Sequence, residues 1–259
     1  MLKNQRLIYE LVKRDIMIRY SGSFMGVFWS FLTPLFMLAV YTLVFGKIFN
    51  ARWNGAVTDS MGEFALNLFL GLLIFNLFSE CLTRAPSLIL HNANYVKKVI
   101  FPLEVLPITA FIAALFHFVI GIFVWEIAYL FIYGTLNFSV VYAIVIILPF
   151  SVLVLGLSYF LCALGVYIRD IGQVIGIGIT ALMFLSPIFY PLSTLPKEYH
   201  NIARINPITV PVEEIRGKLM YMHDFNLGVL AIYTILSCIV LVAGLQFFKK
   251  LRPGFADVI

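Results

Sequence analysis

Charge is what this sequence has least of. Asp, Glu, Lys and Arg together make up 12% of 259 residues, hydrophobic residues 62%, and the mean hydropathy is +0.99. A soluble domain carries about 25% charged residues, so too few polar groups are present to cover a water-facing surface. The solvent that fits is a bilayer, which accepts an apolar exterior provided that helices or a closed barrel satisfy the backbone internally. Short alternating segments are also missing. Barrel strands alternate over about 10 residues, whereas here charge-free runs extend over Tyr20 to Gly46, Phe64 to Ser79, Val105 to Trp125, Ile127 to Ile168, Ile171 to Pro196 and Phe225 to Phe248. Runs of that length are helical.

Other absences narrow the function. The three cysteines, Cys81, Cys162 and Cys238, lie within or beside apolar runs without a pairing pattern and are expected to be small buried hydrophobes. His91, His117, His200 and His223 are dispersed, and no H-E-x-x-H, C-x-x-C or G-x-S-x-G string occurs. No catalytic residue and no metal site is therefore expected. No G-x-x-x-x-G-K-[ST] string supplies a phosphate cradle, so the chain is not expected to be an ATPase itself. The formal charge is +5, yet no run reaches five or six like charges, and nucleic acid is not expected as a partner. The first apolar run is about twice the 7–15 residues of a signal-peptide core and no small-residue cleavage site follows it, so the first helix is expected to stay.

What is present is an all-α polytopic membrane protein. About 20 residues span a bilayer, which predicts a single permease domain over 1–259 with six transmembrane helices: Phe24 to Phe49, Phe64 to Leu82, Leu106 to Tyr133, Phe138 to Ile168, Ile171 to Tyr190 and Phe225 to Phe248. Gly134-Thr135-Leu136-Asn137 separates the third from the fourth. Twelve of the 18 Lys and Arg residues then fall on the face that carries both termini and six on the other, which places both termini in the cytoplasm. Leu7, Ile8, Leu11 and Val12 repeat at helical spacing, with Glu10/Arg14 and Asp15/Arg19 as i,i+4 pairs, so residues 4–20 read as an N-terminal helix in the cytoplasmic interface. Between spans five and six, residues 186–217 carry Pro187, Pro191, Pro196, Pro207 and Pro211 among apolar residues. Prolines at that density break a straight span, and the apolarity argues against a solvated loop. Short external re-entrant or interfacial helices fit both facts. Glu126, about two turns from the external end of the third span, is either a proton site of a carrier or a carboxylate reaching headgroups or capping a neighbouring helix. No internal repeat of the kind secondary transporters show is detectable.

Several ungapped stretches carry a family resemblance: LVKRDIMIRYSGSFMGVFWSFLTPLFMLAVYTLVFGKIF (11–49), NANYVKKVIFPLEVLP (92–107), GVYIRDIGQV (165–174), FLSPIFYP (184–191) and INPITVPVEEIRG (205–217). Together they resemble the membrane subunits of type-2 ABC transporters that export polysaccharides such as O-antigen, capsule and teichoic acid. The resemblance covers nearly the whole chain in order. It implies a homodimer with two copies of a separate ABC ATPase subunit, moving an undecaprenyl-linked glycan across the bacterial cytoplasmic (inner) membrane. No cofactor is implied for this chain, since ATP and Mg would sit on the partner. Residues 84–102 would be the cytoplasmic coupling segment, in which Val96 and Phe101 give apolar contact, Lys97 and Lys98 meet acids, and Pro102 ends the element.

In such exporters the first and fifth spans line the channel. This nominates Phe28, Phe31, Tyr41 and Phe45 with Phe184 and Tyr190, whose rings would offer a sliding sugar CH contacts without deep hydrogen-bonding pockets. The same fold exporting a drug or lipid is the alternative, and a channel or proton-coupled carrier working without ATP is a third reading.

Overall fold

The computed structural model describes residues 5–48, 53, 61–96 and 101–259, and helix is the only regular structure among them. The expected interfacial helix is α1, Gln5–Tyr20. The first span begins as a 3-10 turn, Gly26–Phe28, continues as α2, Trp29–Tyr41, and loosens into π-helix over Thr42–Ile48. Then come α3 (Met61–His91), α4 (Ala93–Val96), α5 (Val105–Tyr133), α6 (Ala143–Tyr167) and α7 (Ile171–Leu185). The proline-rich stretch forms two short helices, α8 (Lys197–Ile205) and α9 (Thr209–Tyr221), before α10 (Leu227–Leu251) and the terminal α11 (Phe255–Val258). Its prolines punctuate rather than interrupt: Pro196 caps α8, Pro207 precedes α9, and Pro211 sits in the first turn of α9, where a missing amide donor costs nothing.

Among the described residues, five helical stretches are long and apolar enough to cross a membrane: Gly26–Phe45, Gly62–His91, Val105–Tyr133, Phe138–Tyr167 and Leu227–Val258. The expected fifth span differs. Ser186 turns to extended backbone at ψ 150°, because the ring of Pro187 disfavours helix in the residue before it, and α7 therefore ends at Leu185 instead of running to Tyr190. Its 15 residues rise about 22 Å, less than the ~30 Å hydrocarbon layer.

The second span differs in the opposite direction. α3 runs past Leu82 to His91, so the first half of the 84–102 segment is helix. Charges that looked like the end of a span are neutralised by α1. Arg84 donates to both carboxylate oxygens of Asp15 at 2.7 Å, and Arg19 pairs with Glu80 at 2.8 Å. Asp15 and Arg19, expected to pair with each other, instead each tie α1 to α3. Tyr20 completes the attachment through a 3.3 Å hydrogen bond to His117 on α5.

α3 is the axis of the molecule, buried along most of its length by α5, α6, α7 and α9. Several buried side chains with polar tips are received by carbonyls. The Trp125 indole donates to Leu66 O at 3.2 Å, Tyr159 to Glu104 O at 2.8 Å, and Tyr233 to Pro207 O at 2.8 Å. α10 crosses α6 backbone against backbone, and a methyl on Gly244 would run into the Gly156 carbonyl. Cys81 and Cys162 are buried as expected, whereas Cys238 is exposed on α10. One carboxylate oxygen of Glu126 accepts the Asn137 amide at 2.6 Å at the connection from α5 to α6, and the other is buried without a hydrogen-bond partner among the described residues.

Candidate substrate path and docking surface

The nominated aromatics of the first span fall into two groups. Phe28 and Phe31 stack on each other at 6.1 Å, with Phe28 exposed. Beyond Pro34, Tyr41 tilts against Phe45 at 6.5 Å, and Phe45 meets Phe64 of α3 at 5.9 Å. No ring contact joins the two groups among the described residues, since the ten residues from Phe31 to Tyr41 span about 15 Å of helix.

The end of α7 reaches the second group through Phe189. Its ring lies 6.0 Å from Phe45 and 6.0 Å from Phe184, so that Tyr41, Phe45, Phe189 and Phe184 form one connected array. Tyr190 stays outside it and turns its hydroxyl back to the carbonyls of Phe184 and Leu185. A fifth span read as helix through Tyr190 does not bring out Phe189 as the ring that meets Phe45. The turn that Ser186-Pro187 imposes brings Phe189 inward, and that dipeptide was the signal available in the sequence.

Arg216 on α9 fixes this turn. Fully enclosed, it donates to Asn67 O on α3 at 2.8 Å, to Ile188 O at 2.6 Å and to Pro187 O, while its guanidinium lies 4.5 Å from the centre of the Trp53 ring. Burial pushes its pKa down to about 10, which still leaves the charge in place at neutral pH. Gly71 leaves the space, since a methyl there would strike the guanidinium. One buried cation thus joins α3, the end of α7 and α9, and holds Ile188, the residue before Phe189 of the aromatic array. In the sequence, Arg216 stands out only as one of the six Lys and Arg residues on the face away from the termini.

At the other end of the bundle, α1, α4 and the C-terminal segment meet. Tyr95 of α4 stacks on Phe101 at 4.3 Å with the planes 7° apart, and Arg14 donates to the Tyr95 hydroxyl at 2.6 Å. Val96 and Phe101 are partly buried against a second apolar core that includes Leu103, Phe248 and Phe255. Pro102 precedes α5 and its carbonyl accepts the Val105 amide at 3.0 Å. Arg252 pairs with Glu104 at 2.7 Å and so ties the segment to the end of α10. Lys97 and Lys98 lie outside the described residues. One face of Phe101 is thus covered from within the chain, and the segment is braced from both sides by α1 and α10. A loop that must pass force needs such bracing.

Between α1, α2, α3 and α5 lies a cavity of about 720 Å³ whose lining includes Tyr41.

The family model for ABC-2 type transporter matches residues 6–220. An O-antigen export system permease protein RfbA of Klebsiella pneumoniae is 27% identical over 256 residues, covering 98% of this chain and 95% of the relative. Its counterpart of the same name in Myxococcus xanthus is 28% identical over 257 residues, with the same coverage of 98% and 95%. The polysialic acid transport protein KpsM of Escherichia coli is 25% identical over 248 residues, 92% of this chain and 91% of that protein. The α3 to α10 helical bundle, the bracketed segment after α3 and this match along most of its length lead to one conclusion: the chain belongs to the ABC-2 type transporter family.

Proposed function

We propose that this protein is the membrane subunit of an ATP-driven exporter of lipid-linked polysaccharide in the bacterial inner membrane. The observation that carries the reading is that relatives named for O-antigen export and polysialic acid transport align with more than nine-tenths of the chain. Drug or lipid cargo has no comparable support. A carrier without ATP lacks the support of an internal repeat, which the sequence does not show.

In this reading the chain crosses the membrane six times, with α7 and the Ser186–Tyr190 turn as the fifth crossing, both termini in the cytoplasm, and α8 and α9 as external re-entrant helices. The lysine and arginine asymmetry supports that orientation. Two copies pair, and the open face of α7 suits a second copy: side chains added at Gly172 and Gly176 would meet nothing within 4 Å. Two ABC ATPase subunits bind the cytoplasmic end and hold ATP and Mg. The braced segment ending in Val96, Phe101 and Pro102, with Lys97 and Lys98, transmits their motion, while this chain supplies no ATPase chemistry. An undecaprenyl-linked glycan passes along Tyr41, Phe45, Phe184 and the newly identified Phe189. Phe28 and Phe31 stand near its entry, and Tyr190 holds the turn.

Deletion of the gene in the source bacterium tests this. The expected result is loss of surface polysaccharide with lipid-linked polymer accumulating inside, restored by the wild-type gene. Unchanged surface polymer in the deletion strain would refute the reading.

A further inference from the structure

Asn76 stands in the middle of α3, where a polar side chain is hardest to place. Its neighbours on either side, Phe75 and Leu77, are buried, yet Asn76 is exposed, and its amide finds no partner among the described residues. In hydrocarbon an unpartnered amide costs several kcal/mol, so its surroundings must be wet or supply a ligand. Asn76 opens into the 720 Å³ cavity, and so do Thr33, Ser79 and Thr83. Pro34 adds an acceptor: it lacks the amide that would close the helical turn on the Ser30 carbonyl, and both residues line the cavity.

We propose that this cavity is a hydrated binding site for the hydroxyl groups of a neutral sugar, with Asn76 and Thr33 as its principal hydrogen-bonding residues; the proposal rests on the polysaccharide reading above. Three features select that ligand. The amide of Asn76 and the threonine hydroxyl both donate and accept, matching sugar hydroxyls, which do the same. Phe69, Phe118 and Tyr41 give the cavity apolar walls for the CH faces of a sugar ring, and its volume falls within the ~300–1,000 Å³ of ligand sites generally. Among the described residues the cavity lining carries no spare arginine or lysine for a phosphate or an acidic group, because Arg19 is taken by Glu80 at 2.8 Å and Arg84 by Asp15 at 2.7 Å. Tyr41 belongs both to this site and to the aromatic array, so the cavity opens onto the path along which the polymer slides. The cavity reaches along α3 from Arg84 to Phe69, about 22 Å of helix. It therefore leads from the cytoplasmic surface deep into the membrane.

The test uses the complete transporter in the bacterium that makes the polymer. Asn76→Leu combined with Thr33→Val should lower the rate of surface-polymer appearance about tenfold, the loss expected from a few hydrogen bonds, whereas Asn76→Ser should retain most of it. Both proteins should reach the membrane at the parental level. The Asn76→Cys protein, made together with Cys238→Ser because Cys238 is exposed, should react in inside-out vesicles with a charged, membrane-impermeant methanethiosulfonate. It should react more slowly in vesicles loaded with lipid-linked polymer than in vesicles from a strain unable to make it. Absence of labelling would show a dry or lipid-filled cavity and overturn the proposal. Labelling at one rate with and without polymer would overturn it too, as would parental export by the double variant. If deletion of the whole chain abolishes surface polymer while the double variant exports normally, the site falls and the polysaccharide reading stands. If the deletion itself leaves surface polymer unchanged, the reading falls first.

Discussion

Burying a guanidinium in so apolar a bundle is unfavourable by several kcal/mol unless its donors are all received. Arg216 has three of its five donors received, one by Asn67 O and two by carbonyls that a helix cannot satisfy, those of Pro187 and Ile188 just beyond the end of α7, and the Glu213 carboxylate lies 3.9 Å away. Replacing it by Met keeps much of the volume but leaves these acceptors unpaired, at about 1–3 kcal/mol for each one that water does not reach. Lys offers one mobile point charge in place of a planar fork and cannot serve three separate carbonyls at once. Both Arg216→Met and Arg216→Lys should therefore lower the thermal midpoint of the detergent-solubilised protein, followed by size-exclusion chromatography after heating. A midpoint unchanged in both variants would mean that the three bonds do not hold the turn. Because Phe189 follows Ile188 directly, the same variants should displace the aromatic array.

Among the elements, α1 shows how a few polar bonds fix a helix that hydrophobic packing holds loosely. Only Leu11 of its apolar stripe is buried, while its charged side carries the bidentate Asp15–Arg84 pair and the Arg19–Glu80 pair. The groups are partly exposed, so each pair contributes only about 1 kcal/mol, but together they decide whether α1 docks on α3 or floats in the interface. Arg84→Gln should raise amide hydrogen exchange across Gln5–Tyr20 several-fold, and exchange at the parental rate would show that packing alone suffices. The extent of α1 was legible from its 3.6-residue period, whereas its partners were not, since a carboxylate four residues from an arginine looks the same whether it pairs locally or with another helix. The same blindness shortened α3: Glu80 and Arg84 read as the end of a span because their neutralising partners lie some 65 residues away. Hydropathy lengthened α7 for the opposite reason. Phe189 and Tyr190 keep the run apolar past the Ser186-Pro187 stop, and a hydropathy window has no term for a steric break. Tyr41 and Phe45 were nominated through the family resemblance, which puts the first span on the channel, and their mutual contact was accessible because residues four apart share one face of a helix. Phe189, Arg216 and Asn76 were not, because each owes its place to contacts between helices.

At the scale of the whole molecule, rigid and loose parts are segregated. α3 and the helices around it form a packed body, braced by Arg216 at one end and by the Arg252–Glu104 and Asp15–Arg84 pairs at the other. α2 and α7, by contrast, leave most of their apolar surface uncovered by the chain. In the proposed homodimer these two helices supply the interface and the walls of the path, and the braced segment after α3 delivers the motion of the ATPases to the rigid body. That division yields a direct measurement of the central claim. Inside-out vesicles from cells making the polymer expose the ATP-binding side outward, so export carries lipid-linked polymer into the lumen, where an added glycosidase cannot reach it. The account predicts glycosidase-protected polymer that grows with added ATP, does not grow with a non-hydrolysable analogue, and is absent in vesicles lacking this chain. Protection driven by a proton gradient without ATP, or appearing equally in vesicles that lack the chain, would contradict it.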